Sequence, residues 1–150
     1  MLRTVGLVIL GYVVIVVVVF LSFSVAYWLM GADGAFQPNS YDVSLVWIVV
    51  TTIFGFVAAV MGGYMIAGMA RTGSEHKALA GFVFGLGVIF AIQMLLSNET
   101  PPGVRETAVG MAEAMSNAQQ PLWVALLNPI VGALGVLAGA RRKGTRPSAA

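Results

Sequence analysis

The sequence predicts an all-α integral membrane protein: a four-helix bundle with both termini cytoplasmic and a short amphipathic helix in the outer loop between spans three and four. Three observations predict it. Hydrophobic residues make up 59% of the 150 and charged residues only 9%, more apolar surface than a soluble core of this length encloses. The mean hydropathy of +0.91 is concentrated in four runs of the length a bilayer demands, about 20 residues each. Lys and Arg gather beside the ends of those runs, and mostly on one side.

The spans cover about 5–30, 44–70, 77–97 and 121–140, and none has a charged residue in its interior. The first carries "VVIVVVVF", a β-branched run that favours a strand in water. In hydrocarbon it must be helical, because a lone strand leaves its backbone groups unsatisfied there. Arg3 and the small residues of "GADGA" also suit a cleaved signal peptide, but the apolar stretch far exceeds the usual h-region of about 7 to 15 residues.

Orientation follows from charge. Arg3, Arg71, Lys77, Arg141, Arg142, Lys143 and Arg146 fall on one side and Arg105 alone on the other, which makes the first side cytoplasmic. Asp33, Asp42, Glu99, Glu106 and Glu113 lie outside and Glu75 inside. Trp28, Trp47 and Trp123, joined by Tyr27 and Tyr41, mark the outer interface. A basic cytoplasmic tail covers 141–150.

The connections are equally readable. Gly73 ends the second helix and Ser74 is a candidate N-cap of the third, with His76 a solvated loop residue because no second His or any Cys completes a metal site. Across 104–118, Val104, Ala108, Met111, Ala112 and Met115 share one helical face, which predicts an amphipathic helix on the outer surface or over the bundle mouth. The sequon at Asn98 is discounted, since Pro101 follows at once and the loop hugs the membrane.

In lipid, helices associate through small residues and scattered polar groups. Gly55, Ala59, Gly63 and Ala67 repeat every four residues in span two, Gly81 and Gly85 do so in span three, and Gly135 and Gly139 in span four. These are the expected contacts within the chain or between copies. Met61, Met65 and Met69 form a neighbouring stripe read as gap-filling.

Ser22, Thr51, Gln93 and Asn128, with Ser24 and Thr52 beside them, bring uncharged polar side chains to one layer in the outer half. Pro129 removes an amide and frees a carbonyl one turn earlier, near Ala125, expected to face the same layer. Either Asn128 and Gln93 hydrogen-bond between helices and fix register, or the layer lines a small polar cavity. The first is favoured, because functional suspicion attaches to ionisable intramembrane residues and the spans have none.

The motifs "GGYMIAG…HKALAG" and "QQPLWVALLNPIVGALGVLAGARRK" give Gly-Gly-Tyr late in span two, a His opening span three, Pro-x-Trp opening span four, and Asn-Pro before a glycine-rich end. Over about the last two thirds of the chain this pattern resembles a group of small bacterial four-span membrane proteins. The resemblance implies a four-helix architecture and a bacterial inner-membrane home, and brings no activity with it. Small multidrug transporters share the size and span number, but that family needs a carboxylate in its first span, and this first span has none.

Function classes narrow accordingly. No cysteine is present, so thiolate chemistry is excluded, and a net charge of +2 gives no reason to expect nucleic acid. No paired carboxylates, His-nucleophile pair or metal-ligand spacing lies at membrane depth, so neither an enzyme nor a cofactor is expected. A non-catalytic component remains, partnered by the bilayer and by itself or a larger membrane complex. The alternative is a small transporter or ligand binder using the polar layer.

Overall fold

The computed structural model describes residues 2–70, 74–96, 104–105 and 109–144. The proposed stop at Gly73, the sequon at Asn98, positions 106–108 and the tail beyond 144 lie outside these residues. Among the described residues there are five helices: α1 (Leu2–Ala35), α2 (Leu45–Met69), α3 (Glu75–Leu96), α4 (Met111–Asn117) and α5 (Leu122–Gly144). All but α4 are long and apolar enough to cross a membrane, and no strand forms among the described residues.

The helices begin and end where local chemistry allows. The β-branched run is helical within α1, which runs past the expected limit of 30 to Ala35. It turns at Gly31, whose φ of 66° is a left-handed conformation costly for any residue with a Cβ. Ser44 then caps α2: its hydroxyl accepts from Trp47 N at 3.1 Å and donates to Gly34 O at 2.6 Å. One side chain therefore fixes the angle between α1 and α2. At the other end of α2 the Arg3 guanidinium donates to Met69 O at 3.0 Å, satisfying a terminal carbonyl where the helix dipole is negative.

Around the bundle the order is α1, α2, α5, α3, closed by contact between α3 and α1, with α2 and α3 also touching across the middle. No packed contact joins α1 to α5. The core is built from small and aliphatic side chains, with Ile66, Leu79 and Val136 fully buried beside Leu7, Ile15, Ala58 and Ala59. Tyr12 sets its edge against Phe82, centroids 5.2 Å apart. Much of the outward surface of α1 is aliphatic, including Val13, Val17 and Leu21, as lipid contact requires.

The closest approach is between α2 and α5, which run in the same direction. A Cβ at Gly63 would collide with the carbonyl of Val136, and one at Gly139 with the carbonyl of Val60. Gly135 meets Ala59 Cβ at 2.7 Å on the same measure. Glycine here is a requirement of backbone proximity.

Three of the expected packing glycines lie elsewhere: nothing stands within 4 Å of a Cβ built at Gly55, Gly81 or Gly85. Four-residue spacing defines a face of a helix but not what the face meets. The glycines that do meet a neighbour include Gly11 against Ile66 and Leu79, Gly62 against Ile15, and Gly87 against Pro129.

The amphipathic helix of 104–118 is also corrected. Helix begins only at Met111, and residues 104–105 and 109–110 are non-helical. Of the residues expected on one helical face, Val104 and Met115 are 81% and 61% exposed, whereas Ala114 is buried. The segment's described residues are tied to α1 and the 37–42 turn by tertiary hydrogen bonds at Arg105, Val109 and Glu113.

Gly139→Ala is expected to lower the thermal midpoint in detergent, since overpacking against backbone costs about 1–3 kcal/mol. Gly81→Ala, placed in open space, should leave the midpoint unchanged or slightly raised. A differential scan of both variants checks the pair.

Candidate functional site

A cap closes one end of the bundle, built by residues from distant parts of the chain. Residues 37–42 form a tight turn in which Gln37 N donates to Asp42 O at 2.8 Å, and Asn39 takes a φ of 57° that asparagine tolerates. Phe36 bridges Val43 antiparallel, and Asp42 bridges Gln119 in parallel. Val43 N donates to Gln119 O at 3.0 Å and Gln119 N to Tyr41 O at 2.9 Å. The chain just before α2 is thereby tied to the chain just before α5.

Arg105 pins this cap. Its side chain is almost wholly buried, with Nη2 3.0 Å from Asp33 Oδ1, Nε donating to Ser40 O at 3.1 Å, and its guanidinium carbon 5.7 Å from the Phe36 ring centroid. Its backbone amide donates to Asn39 O at 3.3 Å. A guanidinium suits this task because its fork reaches a carboxylate and a carbonyl while its flat face covers a ring. Nearby, Tyr41 donates to Glu113 Oε1 at 2.6 Å and Tyr27 to Val109 O at 2.8 Å, holding α4 and its approach against α1 and the turn. Arg105 is the sole basic residue assigned to the outer side by sequence, yet its burial was not legible there, because its partners lie 65 and 72 positions away.

Below the cap, the gap between α1 and α5 is a cleft of about 310 Å³. Val19 and Phe23 of α1 form one wall, and Val124, Asn128, Val131 and Gly132 of α5 the other. Trp47, Ile48, Thr51, Thr52 and Gly55 of α2 form the floor, with Val43 and Gln120 of the cap as the roof. No ionisable side chain lines it. The size is at the lower end for small-molecule sites.

The expected polar layer is only partly assembled here. Thr51 and Asn128 line the cleft; Ser22 is half-buried on α1 but leaves the wall to Val19 and Phe23, and Gln93 is exposed on α3 away from it. The Thr51 hydroxyl is turned back on its own helix, donating to Trp47 O at 2.7 Å, and Ser24 does the same toward Phe20 O. Asn128, Thr52 and Gln120 make no side-chain hydrogen bond within the described residues.

The Asn-Pro pair divides between two neighbours. A Cβ on Gly87 of α3 would come within 2.8 Å of Pro129 Cγ, so the ring is seated on α3. Asn128, about 100° around the helix, belongs to the cleft instead. The carbonyl that Pro129 leaves without a donor belongs to Ala125.

Compared with known proteins, the chain matches no family model, no curated protein and no solved structure. No group of three His, Cys, Asp or Glu side chains among the described residues is placed to hold a metal ion. What the cleft offers chemically is apolar contact and a few neutral hydrogen-bonding groups.

Arg105→Met is expected to loosen the cap without unfolding the bundle, removing charged hydrogen bonds each worth about 1.5–3 kcal/mol. Hydrogen exchange of the amides of residues 37–43 and 119 should accelerate, while α2 and α5 below stay protected.

Proposed function

We propose that this chain is a non-catalytic component of a bacterial cytoplasmic membrane, acting as a self-associating bundle or an accessory subunit of a larger membrane complex. The observation that carries this reading is the use of its charged and phenolic groups as architecture. Arg105 is committed to Asp33 and the 37–42 turn, Tyr41 to Glu113, and Arg3 to the end of α2. A reaction centre needs such groups aimed at a substrate, whereas here they join one element to another.

The positive-inside distribution puts both termini in the cytoplasm and the cap outside. The Gly81 and Gly85 face of α3, which has open space beside it, offers a second helix the close approach that small residues permit in lipid. The alternative reading, a small-ligand binder or transporter, is favoured by one specific observation: the cleft lined by Asn128, whose side chain makes no hydrogen bond among the described residues.

Gentle solubilisation followed by native mass measurement tests the first reading. A stoichiometric partner or a discrete homo-oligomer is expected, and Gly85→Leu should dissociate it without lowering the thermal midpoint. A monomer with no co-purifying protein, unaffected by that substitution, would count against the accessory role.

A further inference from the structure

We propose that the cleft between α1 and α5 is a binding site for a neutral amphiphile, an alkyl chain bearing an uncharged hydroxyl or ester head. This names the ligand class for the ligand-binding reading of the site. It does not depend on whether the chain also associates with other proteins.

Depth and charge select the ligand. Thr52 and Asn128 each sit five residues inward of an interfacial tryptophan, Trp47 and Trp123, or about 8 Å along the axis at 1.5 Å per residue. A phosphate or ammonium drawn to that depth would need a counter-charge, and the lining has none. A hydroxyl or ester carbonyl needs only a neutral donor and acceptor. The Asn128 amide supplies both, the Thr52 hydroxyl adds a third group, and neither is engaged within the described residues. At membrane depth an unpaired amide is costly, and acyl chains cannot satisfy it. The head of a neutral amphiphile can.

Shape accommodates the rest of the molecule. Inward of Asn128 the lining becomes Gly55, Val131 and Gly132, and Gly55 has open space beside it. Because α1 and α5 do not pack together, a chain enters sideways from the bilayer between Val19 or Phe23 and the α5 wall. About 310 Å³ equals roughly ten waters at ~30 Å³ each. That suits part of one alkyl chain with a small head and is far too little for a partner helix. The cap bounds the top through Val43 and Gln120.

Trp47 lies in the floor and reports on occupancy. The variant Trp28→Phe/Trp123→Phe leaves it as the single indole, reconstituted in phosphatidylcholine vesicles and titrated with chain-brominated monoacylglycerol. Quenching is expected to saturate at a low mole fraction and to be reversed by unbrominated monoacylglycerol. Chain-brominated phosphatidylglycerol, with its anionic head, should quench only in proportion to its mole fraction. Asn128→Leu should weaken the apparent affinity about fivefold to tenfold, the loss of one hydrogen bond, with the thermal midpoint unchanged because Asn128 makes no side-chain hydrogen bond among the described residues. Thr52→Val, nearly isosteric, gives a second readout should the Leu variant destabilise the fold. Quenching proportional to mole fraction for both lipids, or a saturating curve untouched by either substitution, would overturn the proposal. The native-mass result moves independently of both.

Discussion

Two carbonyls, those of Val60 and Val136, set the geometry of the bundle. Each lies where the facing helix can offer only a hydrogen, at Gly139 and Gly63 respectively. In lipid there is little hydrophobic gain from joining two apolar helices, so dispersion at short range and the absence of intervening side chains must hold them. Once α2 and α5 are fixed at this separation, α3 seats Gly87 under Pro129 and α1 packs Ile15 over Gly62. The gap between α1 and α5 is then the remainder of an arrangement in which both helices have better partners.

The cap follows from the same arrangement. With α2 and α5 close and co-directional, the segments entering them lie side by side, and the chain pairs them through Val43 and Gln119. Polar groups that would be costly within the spans are concentrated here, where each finds a partner: Arg105 with Asp33, Tyr41 with Glu113, Tyr27 with the Val109 carbonyl. The interiors of the spans keep only uncharged polar groups, of which Thr51 and Ser24 satisfy theirs within a single helical turn.

Much of the helical layout is legible in the sequence because hydropathy and length are local properties. Four runs of apolar residues become four long helices, and the identity of Gly63, Gly135 and Gly139 as small residues at regular spacing is visible without coordinates. Their equivalents Gly55, Gly81 and Gly85 have the same spacing and meet nothing, since which face turns inward depends on neighbours that spacing does not name. The candidate cleft was half legible for this reason: Thr51 and Asn128, grouped by depth, both line it, but depth alone also admitted Ser22 and Gln93, which do not. Arg105 was least legible of all, because its burial depends on a turn whose shape is fixed by tertiary contacts, and amphipathic periodicity misplaced the helix beside it.

The position of α5 in the chain has a consequence for biosynthesis. It is made after α1, α2 and α3, yet it forms the closest contact with α2 and seats its proline on α3, and the segment leading into it pairs through Gln119 to complete the cap. As the chain emerges N-terminus first, α1 and α2 join early through Ser44, while the glycine face of α2 stays open to lipid. The nascent protein therefore passes through a three-helix stage with its tightest interface unmade and its cap unfastened. Until α5 enters the membrane, that exposed face is the part of the molecule most available to a chaperone or to a wrong neighbour.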